Sequence, residues 1–321
     1  MSAGGEGAPE WSRRYGEQLA RELMAELGLE QARPSVIRFR GTFATLRLKR
    51  PPLLLKIGAA EGSRTVLERS LEIGAFLSDA GLPVAAPATE LSPGPLRVRN
   101  SWAGLWRWEQ RQPDRPNAAL TGRLLNRLHE ALRECPVGVS ELDPIISSRR
   151  RLALIREGGQ VEAAAVRFLT GRLDQSATAW EGFESELGVG RIHGDFKLSN
   201  VMTAPRGPLF LDFDEVRVGP REWDLATISR RGDDGWSREE WIAFAAGYGH
   251  DLLSQPAAEP LRELTHLGSL IFQLAPHRLS YRFERGRRLL DEWLRHPQKR
   301  CHELDWEGVF REMPGPSGAR L

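Results

Sequence analysis

The feature that most constrains the fold is a change of hydrophobic period part-way along the chain. Before it, apolar runs are short and rich in leucine or β-branched residues: 35–40, 43–49 and 53–57 are divided by Gly41-Thr42 and Pro51-Pro52, the pattern of three antiparallel strands. A helix is expected over 63–80, closed by Gly81-Leu82-Pro83, with further strands around 89–91 and over 96–109 completing a small sheet. A leading helix is expected over 11–27, where Leu19, Leu23, Met24 and Leu27 recur at helical spacing and Gly28 follows as a stop. After the polar, proline-bearing stretch 110–116, long helical patterns take over at 118–134, 145–157 and 161–187. They resume from Arg221 to the end, broken near 232–236, 255–259 and Pro297. The expected architecture is α+β in two lobes, a small antiparallel-sheet lobe over 1–110 and a mainly helical lobe over 111–321. A chain of 321 residues is long enough for both.

Between the helices, 189–214 reads as short strands and turns, and a loop-rich island on a helical scaffold is a usual home for reactive groups. It contains His193-Gly194-Asp195-Phe196-Lys197-Leu198-Ser199-Asn200, and then Leu211-Asp212-Phe213-Asp214. Asn200 lies five residues after Asp195, and Asp212 twelve after Asn200, room for one hairpin of two short strands. The hairpin would return Asp212 to the loop and gather two carboxylates and an amide. Phosphoryl transfer calls for such a set: an aspartate to orient the attacking hydroxyl and accept its proton, and hard oxygen ligands for Mg²⁺. Asp195 suits the first role, Asn200 and Asp212 the second. Asp214 and Glu215 could assist the metal or face solvent.

The spacing His-Gly-Asp-x-x-x-x-Asn, followed by a strand-end Asp-Phe, resembles the aminoglycoside phosphotransferase and choline kinase-like family, which shares the protein-kinase-like fold. The resemblance spans roughly 35–250. It implies a γ-phosphoryl transfer from ATP or GTP to a hydroxyl of a small molecule, with 1–110 as the nucleotide-binding lobe and 111–321 carrying the catalytic loop and acceptor site. The acceptor could be an aminoglycoside or other antibiotic, or a choline-, sugar- or homoserine-like metabolite; a catalytically silent binding module is the alternative from another class. By resemblance Asp224 braces the catalytic loop, His193 is structural, and Lys197 resembles the catalytic-loop lysine of protein kinases and could touch the transferring phosphate. His129 resembles a family helix position with a packing role.

Lys56 lies in the apolar run Leu53-Leu54-Leu55-Lys56-Ile57, which would not bury an ammonium without a partner, and a phosphate is one such partner. The resemblance makes it the strand lysine that holds the inner phosphates, paired with a helix carboxylate: Glu72, or Glu68 one turn earlier. Gly41 and Thr42 fall where a phosphate-covering loop belongs, although one glycine equally suits a plain hairpin. Glu109 and Gln110 border the stretch where a nucleotide base would meet backbone.

Composition narrows the partners. All but four of the 45 basic residues are arginine, the lysines being Lys49, Lys56, Lys197 and Lys299. Two of the four therefore fall where phosphate-binding lysines belong. The net charge is only +2, and clustered basic motifs with interleaved aromatics are missing, so nucleic acid is not expected as a partner. Membrane is not expected either, since no run reaches the roughly 18 apolar residues a span needs. The start, 1–10, lacks the order of a secretory signal, and Cys135 and Cys301 give no disulfide framework; a cytoplasmic monomer or homodimer is the expectation. The acidic positions Asp233, Asp234, Glu239 and Glu240 sit among Arg230, Arg231 and Arg238 and read as a solvated face. The stretch 277–300, with Arg278, Arg282, Arg285, Arg287, Arg288 and Arg295, is more basic than a polycationic drug would favour.

Overall fold

The structure is a computed structural model and describes residues 11–40, 43–59, 62–230, 235–276 and 280–313. The chain divides into two compact units after Gln110.

The first unit opens with helix α1 (Arg13–Glu26), whose first turn is capped by Ser12 Oγ accepting from Tyr15 N–H at 3.2 Å. Five strands follow, β1 (Ser35–Arg40), β2 (Phe43–Leu48), β3 (Leu53–Gly58), β4 (Leu96–Val98) and β5 (Ser101–Arg107), with helix α2 (Ser63–Asp79) between β3 and β4. They form one antiparallel sheet in the order β1-β2-β3-β5-β4. The two-residue side-chain period sorts its faces. Ala44, Leu46, Leu48, Leu55, Ile57, Ala103 and Leu105 share a core with Leu19 and Leu23 of α1, whereas Trp106 packs on Leu67 and Leu71 of α2. Lys56, paired in register with Thr45 and Gly104, alternates with the buried Leu55 and Ile57.

Two expectations in this unit need correction. Residues 89–91 are not a strand but a single 3-10 turn, with Leu91 N–H bonded to the Ala88 carbonyl at 3.0 Å; Pro87 and Pro93 bracket it and deny a ladder its donors. The expected strand over 96–109 is two strands, because the chain reverses at Arg99-Asn100, where Arg99 takes φ 50°, and Val98 pairs with Ser101.

The second unit begins with α3 (Ala118–Arg133), α4 (Pro144–Gly158) and α5 (Ala163–Glu181). The α5 helix stops six residues short of its expected end. Gly182 terminates it, and the segment beyond is drawn away by Glu222, whose carboxylate accepts from Ser185 Oγ at 2.7 Å and Leu187 N–H at 2.8 Å. Two ribbons follow, β6 (Val189–Ile192) with β9 (Arg217–Pro220), and β7 (Val201–Ala204) with β8 (Gly207–Phe210). The remainder is α6 (Glu222–Ile228), α7 (Arg238–Tyr248), α8 (Glu259–Leu274), α9 (Ser280–Arg295) and α10 (Trp306–Glu312). Helices α3 and α7 approach at glycines: a Cβ on Gly122 would sit 2.1 Å from the Phe244 carbonyl oxygen, and one on Gly247 2.1 Å from that of Ala119.

The α8 helix packs on α4, α5, α6 and α9 and buries a histidine. Burial pushes the His266 imidazole down to about 3, opposed by the bond from Nδ1–H to the Arg262 carbonyl and reinforced by the Arg230 guanidinium. The unfolded chain protonates this ring near its ordinary value of about 6.5, whereas the folded chain does not until about 3. Unfolding therefore takes up a proton in that window, and stability falls as pH drops through it. Urea titrations at neutral pH and at pH ~5 should show His266→Gln losing about 2 kcal/mol less than the parent on acidification; equal losses would mean the ring does not titrate this way.

Candidate active site

The loop between β6 and β7 is held from beneath by one carboxylate. Asp224, fully buried on α6, accepts from the backbone N–H of His193 at 2.7 Å and of Gly194 at 2.9 Å, and from His129 Nε2–H at 2.9 Å. The other ring nitrogen, Nδ1 of His129, accepts from the Tyr248 hydroxyl at 2.9 Å, and burial pushes that hydroxyl's pKa up, keeping it a donor. A buried chain thus runs from Tyr248 on α7 through His129 on α3 and Asp224 on α6 to the loop. Trp223 Nε1–H adds a bond to the Gly194 carbonyl at 3.0 Å.

Only glycine fits at 194. Its φ is +81°, and a Cβ would lie 1.9 Å from the Glu215 carbonyl oxygen. The His193 side chain, also fully buried, lies against Phe196 and Phe213. Its Nε2–H donates to the Leu211 carbonyl at 2.9 Å and its Nδ1 faces the Asp195 N–H at 3.4 Å. Both nitrogens are spent on backbone. The Leu211 N–H in turn donates to the Asn200 carbonyl at 2.9 Å, so the residue before Asp212 is tied to both ends of the loop. The β7-β8 hairpin makes this return.

Asp195 itself is part-exposed. Its Oδ2 pairs with Lys197 Nζ and accepts from Asn200 Nδ2 at 3.3 Å, while the same amide nitrogen donates to the Asp195 carbonyl at 2.9 Å. Asn200 is 1% exposed, and with its side-chain nitrogen fixed toward Asp195 its side-chain oxygen Oδ1 accepts nothing among the described residues. Asp212 sits at φ 66°, ψ 72°, a left-handed conformation that non-glycine residues take where surroundings impose it. One amide oxygen and one carboxylate are the hard donors a Mg²⁺ ion prefers, so the residues present fit that ion. Among the described residues, no group of three His, Cys, Asp or Glu side chains forms a metal cluster; the fit rests on the mixed amide and carboxylate pair.

The remaining expected positions are distributed as follows. Glu215 is exposed and paired with Arg217 at 3.0 Å, which spends it on the surface, and Asp214 is half-buried. In the first unit, Lys56 Nζ lies 4.7 Å from the Phe43 ring centroid. Among the described residues neither Glu72, exposed on α2, nor the half-buried Glu68 forms an ion pair with Lys56. Glu109 is half-buried and Gln110 exposed, just beyond β5. Gly41, Thr42, Asp233, Asp234 and Arg278 lie outside the described residues. Sequence reasoning missed Tyr248, Trp223 and Asn126, the last donating to the Tyr248 carbonyl at 2.8 Å; it gave His129 only a packing role.

The fold is that of the protein-kinase-like phosphotransferases, and solved structures share it. One is an amicoumacin kinase in complex with AMP-PNP, Ca²⁺ and Ami, 14% identical, with a TM-score of 0.65 over 93% of this chain and 100% of that one. Another is the GDP complex of an aminoglycoside 2'-phosphotransferase-IIIa, 14% identical, TM-score 0.59, over 87% and 98% of the two chains. A choline kinase from Cryptosporidium parvum is 12% identical, TM-score 0.58, over 89% and 98%. In sequence, the profile of the phosphotransferase enzyme family matches residues 31–264, and the chain belongs to that family. No curated protein matches it. Among the described residues no helix is long and apolar enough to cross a membrane.

Proposed function

We propose that the chain transfers the γ-phosphoryl group of ATP or GTP to a hydroxyl of a small molecule. The observation that carries this reading is the Asp195-Lys197-Asn200 constellation on a loop whose backbone is fastened to a buried carboxylate. Asp195 orients the acceptor hydroxyl and takes its proton as the oxygen attacks the γ-phosphorus. The bond from that phosphorus to the β,γ-bridging oxygen breaks, and the nucleoside diphosphate departs with the electron pair. Lys197 offsets negative charge beside the carboxylate, and Asn200 and Asp212 would hold Mg²⁺. When bound, that ion neutralises the phosphate oxygens on which charge accumulates. Little covalent work falls to the protein, so rate rests on position and on charges already in place.

In the first unit Lys56 is the residue we assign to the inner phosphates, with Glu109 and Gln110 near the base. Two cysteines, both buried and unpaired, suit a reducing cytosol. Asp212→Ala is expected to lower Mg²⁺-dependent nucleotide affinity by about tenfold or more. A calorimetric titration with and without Mg²⁺ checks this, and an unchanged affinity would reassign the metal ligands.

A further inference from the structure

Three arginines of the second unit, two around one ring and one tied to the same helix, have no carboxylate partner among the described residues. Phe272 of α8, 41% exposed, has the Arg151 guanidinium of α4 at 5.4 Å from its ring centroid and that of Arg282 of α9 at 5.2 Å. The ring face attracts each cation, but the two cations repel one another. Arg151 is half-buried and, among the described residues, makes no hydrogen bond and no ion pair, so its five donors are open to a ligand that reaches them. Besides the ring, Arg282 has among the described residues a 3.4 Å contact to the Tyr281 hydroxyl and no ion pair. Arg230, at the end of α6, donates to the carbonyls of Thr227 and Thr265, both at 3.2 Å, and has no carboxylate either among the described residues.

Arg151 and Arg230 lie within electrostatic reach of Asp195. Burial lowers the pKa of Arg151, and Glu215 and then Asp195 pull it back up; burial lowers that of Arg230, and Asp195 again opposes it. Neither acid is free to neutralise the cluster. Glu215 is bound to Arg217, and Asp195 is held by Lys197 and Asn200.

We propose that Arg151 and Arg282 flanking Phe272, together with Arg230, form the acceptor subsite, and that the acceptor is a hydroxyl compound bearing a carboxylate or a phosphate. This rests on the phosphotransferase reading and names its substrate class. An anion supplies the negative partner that, among the described residues, none of the three guanidinium groups has, and the fork of Arg151 suits bidentate capture of either group. A polycationic aminoglycoside would meet like charge at the same place.

The test is calorimetric titration of the full chain with an isosteric series: para-(hydroxymethyl)benzoate, para-(hydroxymethyl)phenylphosphonate, the neutral para-(hydroxymethyl)benzamide, and the cationic para-(aminomethyl)benzyl alcohol. At least one anion should bind about tenfold or more tightly than the amide and the amine, and Arg151→Gln should erase most of that preference. The carboxylate and phosphonate arms decide which anion is meant. Arg282→Gln, on a different helix, should weaken the preference severalfold and serves if the first variant does not fold. Equal binding of all four compounds, absence of anion binding, or a preference unchanged in the variants would overturn the subsite. Because these titrations need no turnover, a failure of phosphoryl transfer would count against the proposed function and not against the anion preference.

Discussion

Asp195→Asn is expected to cut turnover by about a thousandfold or more while leaving nucleotide binding within a few-fold of the parent. The substitution keeps the shape of the side chain and removes its capacity to take a proton. Asn200 Nδ2, which donates to the Asp195 carbonyl at 2.9 Å, is not disturbed by it, so the loop should stay in place. The loss belongs in kcat, because the proton moves only as the hydroxyl attacks. Steady-state kinetics beside nucleotide titration separate the two quantities; normal turnover in the variant would remove Asp195 from the chemistry.

The second large effect is expected at a residue that touches no substrate. Asp224→Ala strips the partner from three donors at once, the backbone N–H groups of His193 and Gly194 and the His129 ring, in a site with no exposure. Removing a buried carboxylate from such a network costs about 3–5 kcal/mol, a large share of the roughly 5–15 kcal/mol that holds a domain folded. Activity should fall further than stability alone requires, since a loop displaced by about an ångström can cost about a hundredfold in rate. Asp224→Asn keeps an acceptor oxygen and should cost less in both. Denaturant unfolding followed by tryptophan fluorescence checks the order, Trp223 being a neighbour of the loop. Asp224→Ala with parental stability and turnover would show that the loop is fastened by something else.

Much of this arrangement is legible before folding. The period-two runs place β2 and β3 to within a residue or two, and the period of 3.6 places α1, α2 and α3, because in each the buried face is continuous in sequence. The His193-to-Asp212 spacing is legible because a hairpin is the shortest way to return a chain, and β7 and β8 provide it. Contacts between distant elements are not legible. Tyr248 reaches His129 across 119 positions, and nothing in the neighbourhood of either residue signals the other. The end of α5 was hidden for the same reason: the carboxylate that draws away 185–187 belongs to Glu222, 35 to 37 residues further on. The arginines of 277–300 announce basicity in the sequence, but only the packing of α4, α8 and α9 brings Arg151 to the ring that Arg282 also covers.

The most direct measurement is the fate of the label when γ-phosphate-labelled ATP or GTP is incubated with the chain, Mg²⁺ and a panel of hydroxyl compounds that includes carboxylate- and phosphate-bearing members. Label should appear in an organic phosphate ester, require Mg²⁺, and vanish from that product in Asp195→Asn. Label that stays in the nucleotide, or passes only to inorganic phosphate with every acceptor, would contradict phosphoryl transfer.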